Sequence, residues 1–340
     1  MMKKIFKNLG GALMLAAALV FTSCDQIKSS TDNLVPAIDH ILTTPLTIEA
    51  KAEDGATVRL LKTDDSYELK TIKYKKSTDT SWKDYAFDGI IGDKISLNKG
   101  ESVSFWSNNA ALAQTPAGST LYSYFVISDE CYVYGNVMSM IDDQEGATAE
   151  NPKFSTDEEI GASHALCYLF RNCQILNHES KELVLPATTL ASHCYYGMFY
   201  HCEKLTKAPD LKAETLTPYC YNDMFNGCTS LTKAPEIAAE TVAPNCCQVM
   251  FAGCSSLTKA PVLKAKTLEE YCYNGMFNAC EKLGSLTCLA TDISAEGCLD
   301  EWLNDAGSDV VGDKKLYVDP SMTGAAWKLG SGWTVESATK

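Results

Sequence analysis

The sequence predicts a mixed β/α protein. An N-terminal antiparallel β-sandwich leads into a short solenoid of repeats, with parallel strands on one face and short helices on the other. Three observations lead there. Four near-identical segments follow at intervals of 26 residues: MFYHCEKLTKAPDLKAETL from Met198, MFNGCTSLTKAPEIAAETV from Met224, MFAGCSSLTKAPVLKAKTL from Met250 and MFNACEKLGSLTCLATDI from Met276. A fixed period of about 20 to 50 residues marks a stacked array, because one unit of that size cannot bury its own apolar face. Ahead of the repeats the pattern changes to short alternating strands between polar turns, and ahead of those stands a targeting-type segment.

That first segment carries Lys3, Lys4 and Lys7, then an apolar run from Leu9 to Phe21 that is too short and too N-terminal for a membrane span. It ends in Phe21-Thr22-Ser23-Cys24, which resembles a bacterial lipoprotein cleavage site with phenylalanine in place of the usual leucine. The resemblance implies that residues 1–23 are a signal peptide and that Cys24 is lipidated, with residues 24–44 as a polar tether. Two or more acyl chains give stable anchoring where one gives only transient binding. An ordinary secretory signal with an incidental Cys24 is the alternative. The expected location is the outer membrane, lipid-anchored and facing the cell surface, with the periplasmic face as the other option. The net charge of −14 becomes more negative once the leader lysines are removed, which disfavours nucleic acid and anionic headgroups as partners.

Residues 45–131 read as the β-sandwich. The alternating runs are Leu46–Lys51, Thr57–Lys62, Leu69–Lys76, Lys94–Leu97, Ser102–Ser107 and Tyr122–Ser128, with turn signals at Asp64-Asp65-Ser66, Asn98-Lys99-Gly100 and Pro116-Ala117-Gly118. The lysines of Leu69–Lys76 read as the wet face of an edge strand. Trp82, Tyr85 and Trp106 read as core, with a sugar-stacking platform as the alternative. Residues 132–164 form a joint and N-terminal cap. Their acidic stretch reads as an exposed loop and lacks the spacing of a calcium loop.

Each unit of the repeat region, residues 165–303, divides in two. In Leu231-Thr232-Lys233-Ala234-Pro235-Glu236-Ile237 the apolar Leu231, Ala234 and Ile237 suit a very short strand stopped by Pro235. In the stretch from Pro218, Cys220, Met224 and Cys228 recur at four-residue spacing, which predicts two helical turns capped by Thr217-Pro218 and stopped at Gly227. Phe199, Phe225, Phe251 and Phe277 are then expected to stand in one column. Trp302 and Leu303 continue the register into a C-terminal cap, residues 304–340, with Trp327 and Trp333.

Fifteen cysteines in an exported chain first suggest disulfides. Their phase argues for a different role. Ten fall on two ladders, Cys194, Cys220, Cys246, Cys272 and Cys298, and Cys173, Cys202, Cys228, Cys254 and Cys280, each expected to point inward as a small apolar filler. Bridging between ladder mates of neighbouring coils stays open. Cys247, beside Cys246, is expected to face the opposite way. Neither zinc spacing nor any other cofactor motif is present, so no metal or cofactor is expected.

Met224-Phe225-Asn226-Gly227-Cys228 followed by Leu231 is similar to the unit of the cysteine-bearing leucine-rich repeats of the BspA type, with methionine where that family has alanine. The resemblance covers about Tyr132 to Trp333. It implies a leucine-rich-repeat surface lipoprotein whose relatives adhere to host proteins such as extracellular-matrix components. The residues themselves offer one candidate contact stripe, Thr206-Lys207, Thr232-Lys233 and Thr258-Lys259, with Asp210, Glu214, Glu236 and Glu240 near enough to offset its charge. His164, His178, His193 and His201 offer a histidine patch, or simply variation at half-exposed positions. No phosphate loop, HExxH or Gly-x-Ser-x-Gly elbow is present. The expected function is therefore non-catalytic binding or adhesion to a protein or glycan. A structural or accessory role in a bacterial surface complex is the alternative.

Overall fold

The computed structural model describes residues 42–115, 120–154 and 159–338. The expected signal peptide, the expected lipidation site Cys24 and most of the expected tether lie outside the described residues. Seventeen strands are defined among those residues. In order they are β1 (Thr47–Ala50), β2 (Ala56–Lys62), β3 (Ile72–Lys76), β4 (Lys83–Asp84), β5 (Phe87–Asp88), β6 (Ile91–Gly92), β7 (Ile95–Leu97), β8 (Ser102–Ser107) and β9 (Ala113–Gln114). There follow β10 (Leu121–Ile127), β11 (Cys131–Asn136), β12 (Ile175–Leu176), β13 (Leu183–Val184), β14 (Val262–Leu263), β15 (Ser285–Cys288), β16 (Lys314–Val318) and β17 (Trp333–Ser337).

They form three sheets. The first runs β12-β11-β1-β8-β3-β4, with β13 also paired to β11. The second runs β5-β6-β2-β10-β9, with β7 on β2. Alternation builds their inner faces: in β2, Ala56, Val58 and Leu60 are buried while Thr57, Arg59 and Leu61 are half-exposed. The two faces meet where Phe105 of β8 packs against Phe125 of β10, ring centroids 4.9 Å apart. The lysine-rich β3 is not an edge; it lies between β8 and the short β4, and Lys73 and Lys76 pair with Asp84 and Glu101. Tyr85 and Trp106 are buried, and the Trp106 indole donates to Asp142 Oδ2 at 2.7 Å. Core packing therefore accounts for those rings, and Asp142 is buried where an exposed acidic loop was expected.

The sheet core passes without a break into the repeats. Phe125 stacks on Phe170 at 5.5 Å, Phe170 on Phe199 at 5.8 Å, and Phe199, Phe225, Phe251 and Phe277 continue at 5.3, 5.6 and 5.7 Å. At the far end Trp302 stacks on Trp327 at 6.0 Å and the Trp333 indole donates to Ala306 O. The third sheet, β14-β15-β16-β17, is parallel throughout and closes that end.

The helix-bearing leucine-rich-repeat solenoid is not what the chain forms. The structure is 27% strand and only 3% helical, and none of the three sheets forms a solenoid. No α-helical element lies in the repeats; from Pro218 to Cys228 the backbone is a ribbon of turns. Alternate amides bond within the ribbon and beyond it. Cys220, Asn222, Met224, Asn226 and Cys228 N–H donate to the carbonyl three residues back. Tyr219, Tyr221, Asp223, Phe225 and Gly227 N–H donate to carbonyls of the next coil, from Pro244 O to Ala252 O. Every amide along the ribbon is thus satisfied without helix or sheet. The ribbon reverses at a positive φ every fourth residue, at Tyr219 (59°), Asp223 (58°) and Gly227 (75°). The same three columns recur in other coils, at His164, Tyr168 and Asn172 and at Asn245, Val249 and Gly253. Such a ribbon buries residues in pairs, Cys220 with Tyr221 and Met224 with Phe225. Its four-residue period resembles a helix in sequence. Thr217 is no helix cap: its carbonyl, and not its hydroxyl, accepts the Cys220 N–H.

The strand half of the unit shrinks as well. Between the earlier coils the pairing is reduced to isolated parallel bridges, at Lys207–Lys233, Leu211–Ile237, Thr215–Thr241 and Lys233–Lys259, and a parallel ladder returns only at β14 and β15. Pro209, Pro235 and Pro261 remove the donors that would extend them.

All fourteen described cysteines are unpaired and buried. The five of one ladder do more than fill space, as does Cys298, whose thiol donates to Ile293 O at 3.3 Å. The thiols of Cys173, Cys202, Cys228, Cys254 and Cys280 donate to Phe125, Phe170, Phe199, Phe225 and Phe251 O at 3.0 to 3.2 Å. Burial pushes the Cys173 and Cys228 thiols up to about 12. Cys247 does not face away from Cys246. Both are buried and their sulfurs lie 3.6 Å apart, because adjacent residues of the ribbon share a side.

Candidate functional site

Leu205, Leu231 and Leu257 are buried one residue before each Thr-Lys pair, and Ala208 and Ala234 are buried just after the first two. The chain turns between these anchors, so Thr206, Lys207, Thr232, Lys233, Thr258 and Lys259 are all exposed. The Lys207–Lys233 and Lys233–Lys259 bridges set them in register. Thr258 N–H and Oγ1 both donate to Thr232 O, at 3.0 and 3.1 Å. The structure therefore brings all six residues of the stripe onto one face.

Asn177 finishes that face where there is no preceding Thr-Lys pair. Its Oδ1 accepts from Thr206 N, Thr206 Oγ1 and Lys207 N, and its Nδ2 donates to Lys207 O at 2.8 Å. Asn177 stands 29 residues before Thr206, the same offset that separates Phe170 from Phe199 and Cys173 from Cys202. Lys207 pairs with Glu182 at 2.9 Å, and this contact raises its ammonium above the ordinary value. Among the described residues no carboxylate lies within 4 Å of Lys233 or Lys259, so Glu214, Glu236 and Glu240 do not neutralise the stripe by direct contact.

The four histidines do not converge. His164 and His193 stack at 4.2 Å, and Tyr219 extends the stack at 4.4 Å. His178 stands edge-on to Tyr132 and Tyr134, and His201 lies beside Tyr200 and 3.9 Å from Glu203. Among the described residues no group of three or more histidine, cysteine, aspartate or glutamate side chains is placed to hold a metal ion. Ser163 Oγ donates to Ser192 O and lies 2.8 Å from His164 Nδ1.

Desolvation, then the neighbouring His193, brings the His164 imidazole down to about 4. The sign follows: between about 4 and 6.5 the unfolded chain binds a proton that the folded chain refuses, so stability falls as pH drops through that window. Thermal melts at pH 7 and pH 4.5 should show this loss, and His164→Asn should reduce it. Asparagine tolerates the positive φ and occupies the same column at Asn245. An identical pH dependence in the variant would assign the loss to other groups.

No known protein family, curated protein or solved structure matches the chain. Among the described residues no helix is long and apolar enough to cross a membrane.

Proposed function

We propose that this is a non-catalytic, lipid-anchored surface protein that binds an acidic peptide or glycan through the Thr-Lys face of its stacked coils. One observation carries the reading: three exposed Thr-Lys pairs stand in register, with two of the three ammonium groups unpaired among the described residues. Neighbouring strands are about 4.8 Å apart, so the lysines form a row of closely spaced positive charge on a chain that is otherwise acidic. Like charges so placed repel in the free protein and are relieved by an anionic partner. The threonine hydroxyls between them offer oxygen lone pairs to a polymer lying along the row, since those of Thr206 and Thr258 already donate within the protein.

The test replaces Lys207, Lys233 and Lys259 together by alanine and measures binding of immobilised acidic and neutral peptides and glycans. Exposed charge contacts contribute about 0.5 kcal/mol each, so three should change affinity for the acidic ligand by roughly tenfold. Binding should also weaken as salt is raised. A folded triple variant that binds as tightly as the parent would refute the reading.

A further inference from the structure

A second surface lies where the sandwich meets the first coils. Tyr122 and Tyr124 stand on β10, Tyr168 and Arg171 on the first ribbon, and Tyr196 and Tyr200 on the next; all six side chains are half-exposed. The tyrosine rings connect through Tyr168, with Tyr122 tilted against it by 36° and Tyr196 and Tyr200 edge-on to it at 75° and 86°. Tyr122 and Tyr168 are 4.8 Å apart, Tyr168 and Tyr196 5.2 Å, and Tyr168 and Tyr200 6.2 Å. The close approach of Tyr168 to the coil beneath depends on Gly197, where a Cβ would stand 2.3 Å from the ring.

The two ends of the row differ. At one, the Arg171 guanidinium lies 5.3 to 5.8 Å from the ring centres of Tyr122, Tyr124 and Tyr168 and donates through Nη1 to Tyr122 Oη. Among the described residues no carboxylate lies within 4 Å of it. An arginine fork held between rings with donors to spare is preorganised for a planar, bidentate anion. At the other end Asp223 accepts from Tyr196 Oη at 3.3 Å and from Asn226 Nδ2 at 2.7 Å. It supplies acceptors at the edge of an aromatic surface.

We propose that this tyrosine row, with Arg171 at one end and Asp223 at the other, is a binding surface for a carboxylated oligosaccharide. A pyranose has a flat hydrocarbon face rimmed by hydroxyls, which matches a tyrosine ring with its apolar body and polar tip. The row crosses from the sheet over two successive coils, so it suits a linear chain of sugars. A sugar carboxylate takes the free edge of the Arg171 fork, and ring hydroxyls donate to Asp223. An acidic peptide would satisfy the arginine but would leave the Tyr196 and Tyr200 rings, which Arg171 does not cover, without a flat partner. The surface is separate from the Thr-Lys face and does not depend on its role.

Calorimetric titration of the full chain should use a panel of linear uronic-acid and sialylated oligosaccharides, their carboxyl-methylated forms and an oligoglutamate peptide. At least one carboxylated sugar should bind, its methyl ester should bind at least tenfold more weakly, and oligoglutamate should not compete. Arg171→Gln should bind the sugar no better than the parent binds the ester. Arg171→Lys, which keeps the charge and loses the fork, should remain weakened, and this variant serves if the glutamine variant does not fold. Tyr196→Ala should weaken acid and ester alike, while the triple lysine variant should bind the sugar as the parent does. Failure of the whole panel, equal binding of acid and ester, or competition by oligoglutamate would overturn the proposal. Loss of sugar binding only in the lysine variant would assign the sugar to the Thr-Lys face instead.

Discussion

Phe225→Ala should cost the fold about 3 to 5 kcal/mol, the range for deleting a fully buried phenyl ring. Phe225 is fully buried in the middle of the ring column, 5.3 Å from Phe199 and 5.6 Å from Phe251. The surroundings are poorly able to collapse into the space. On either side the backbone is tied to the next coil by N–H donors at every second residue, so closing the gap would break those bonds. Phe225 O is tied twice, accepting from Cys228 N–H and from the Cys254 thiol. Urea titration followed by circular dichroism should show a lowered midpoint, with Phe225→Leu falling between the variant and the parent. A loss under 1 kcal/mol would mean that the column is not a principal source of stability.

Gly135→Ala should be nearly as damaging, at about 3 kcal/mol, although it adds a single methyl group. Gly135 sits in β11 with φ of +89°, and a Cβ there would lie 2.2 Å from Pro45 O and 3.0 Å from Thr44 O. Both obstacles are backbone and cannot swing aside. The left-handed conformation adds about 1 to 2 kcal/mol for a residue with a side chain, and overpacking adds a further 1 to 3 kcal/mol. The site also joins the two halves of the chain: Gly135 N–H donates to Glu182 O at 2.8 Å, and β11 pairs with β13 from Gly135 to Leu183. Disturbance here should loosen the first coil from the sandwich. Hydrogen exchange should then show faster loss of protection at residues 131–136 and 183–184 than elsewhere; uniform loss would argue against a local junction. Gly100, with φ of +78° and open space where a Cβ would stand, is the control for the conformational part alone.

Much of the arrangement was legible in the period. A spacing of 26 residues was enough to place four phenylalanines in a column and six stripe residues on one face. What failed was the local conformation. Cys220, Met224 and Cys228 fall on one side of a helix, and equally on one side of a ribbon that turns twice every four residues. The discriminating signal lay in the residues between. Glycine, asparagine and aspartate recur at the left-handed columns, as at Asn172, Gly197, Asp223, Gly227, Asn245, Gly253 and Gly275. A helix has no use for them there. Tyr168, Val249 and Glu301 obscured the signal, since their positive φ is imposed by the stack and not by local preference. The tyrosine row was invisible for a different reason: Tyr122 and Tyr168 are neighbours only because the sandwich and the first coil share a core, and no period links them.

The sulfur ladder bears on how such a chain survives its own folding. A thiol whose hydrogen is held by a carbonyl and whose sulfur is shut away from water does not form the thiolate that attacks an oxidant. Before the coils close, the same sulfurs are ordinary reactive groups on a flexible strand, free to join wrongly. Each coil that docks withdraws its own thiols from that chemistry, because in the folded chain they are buried and held by carbonyls.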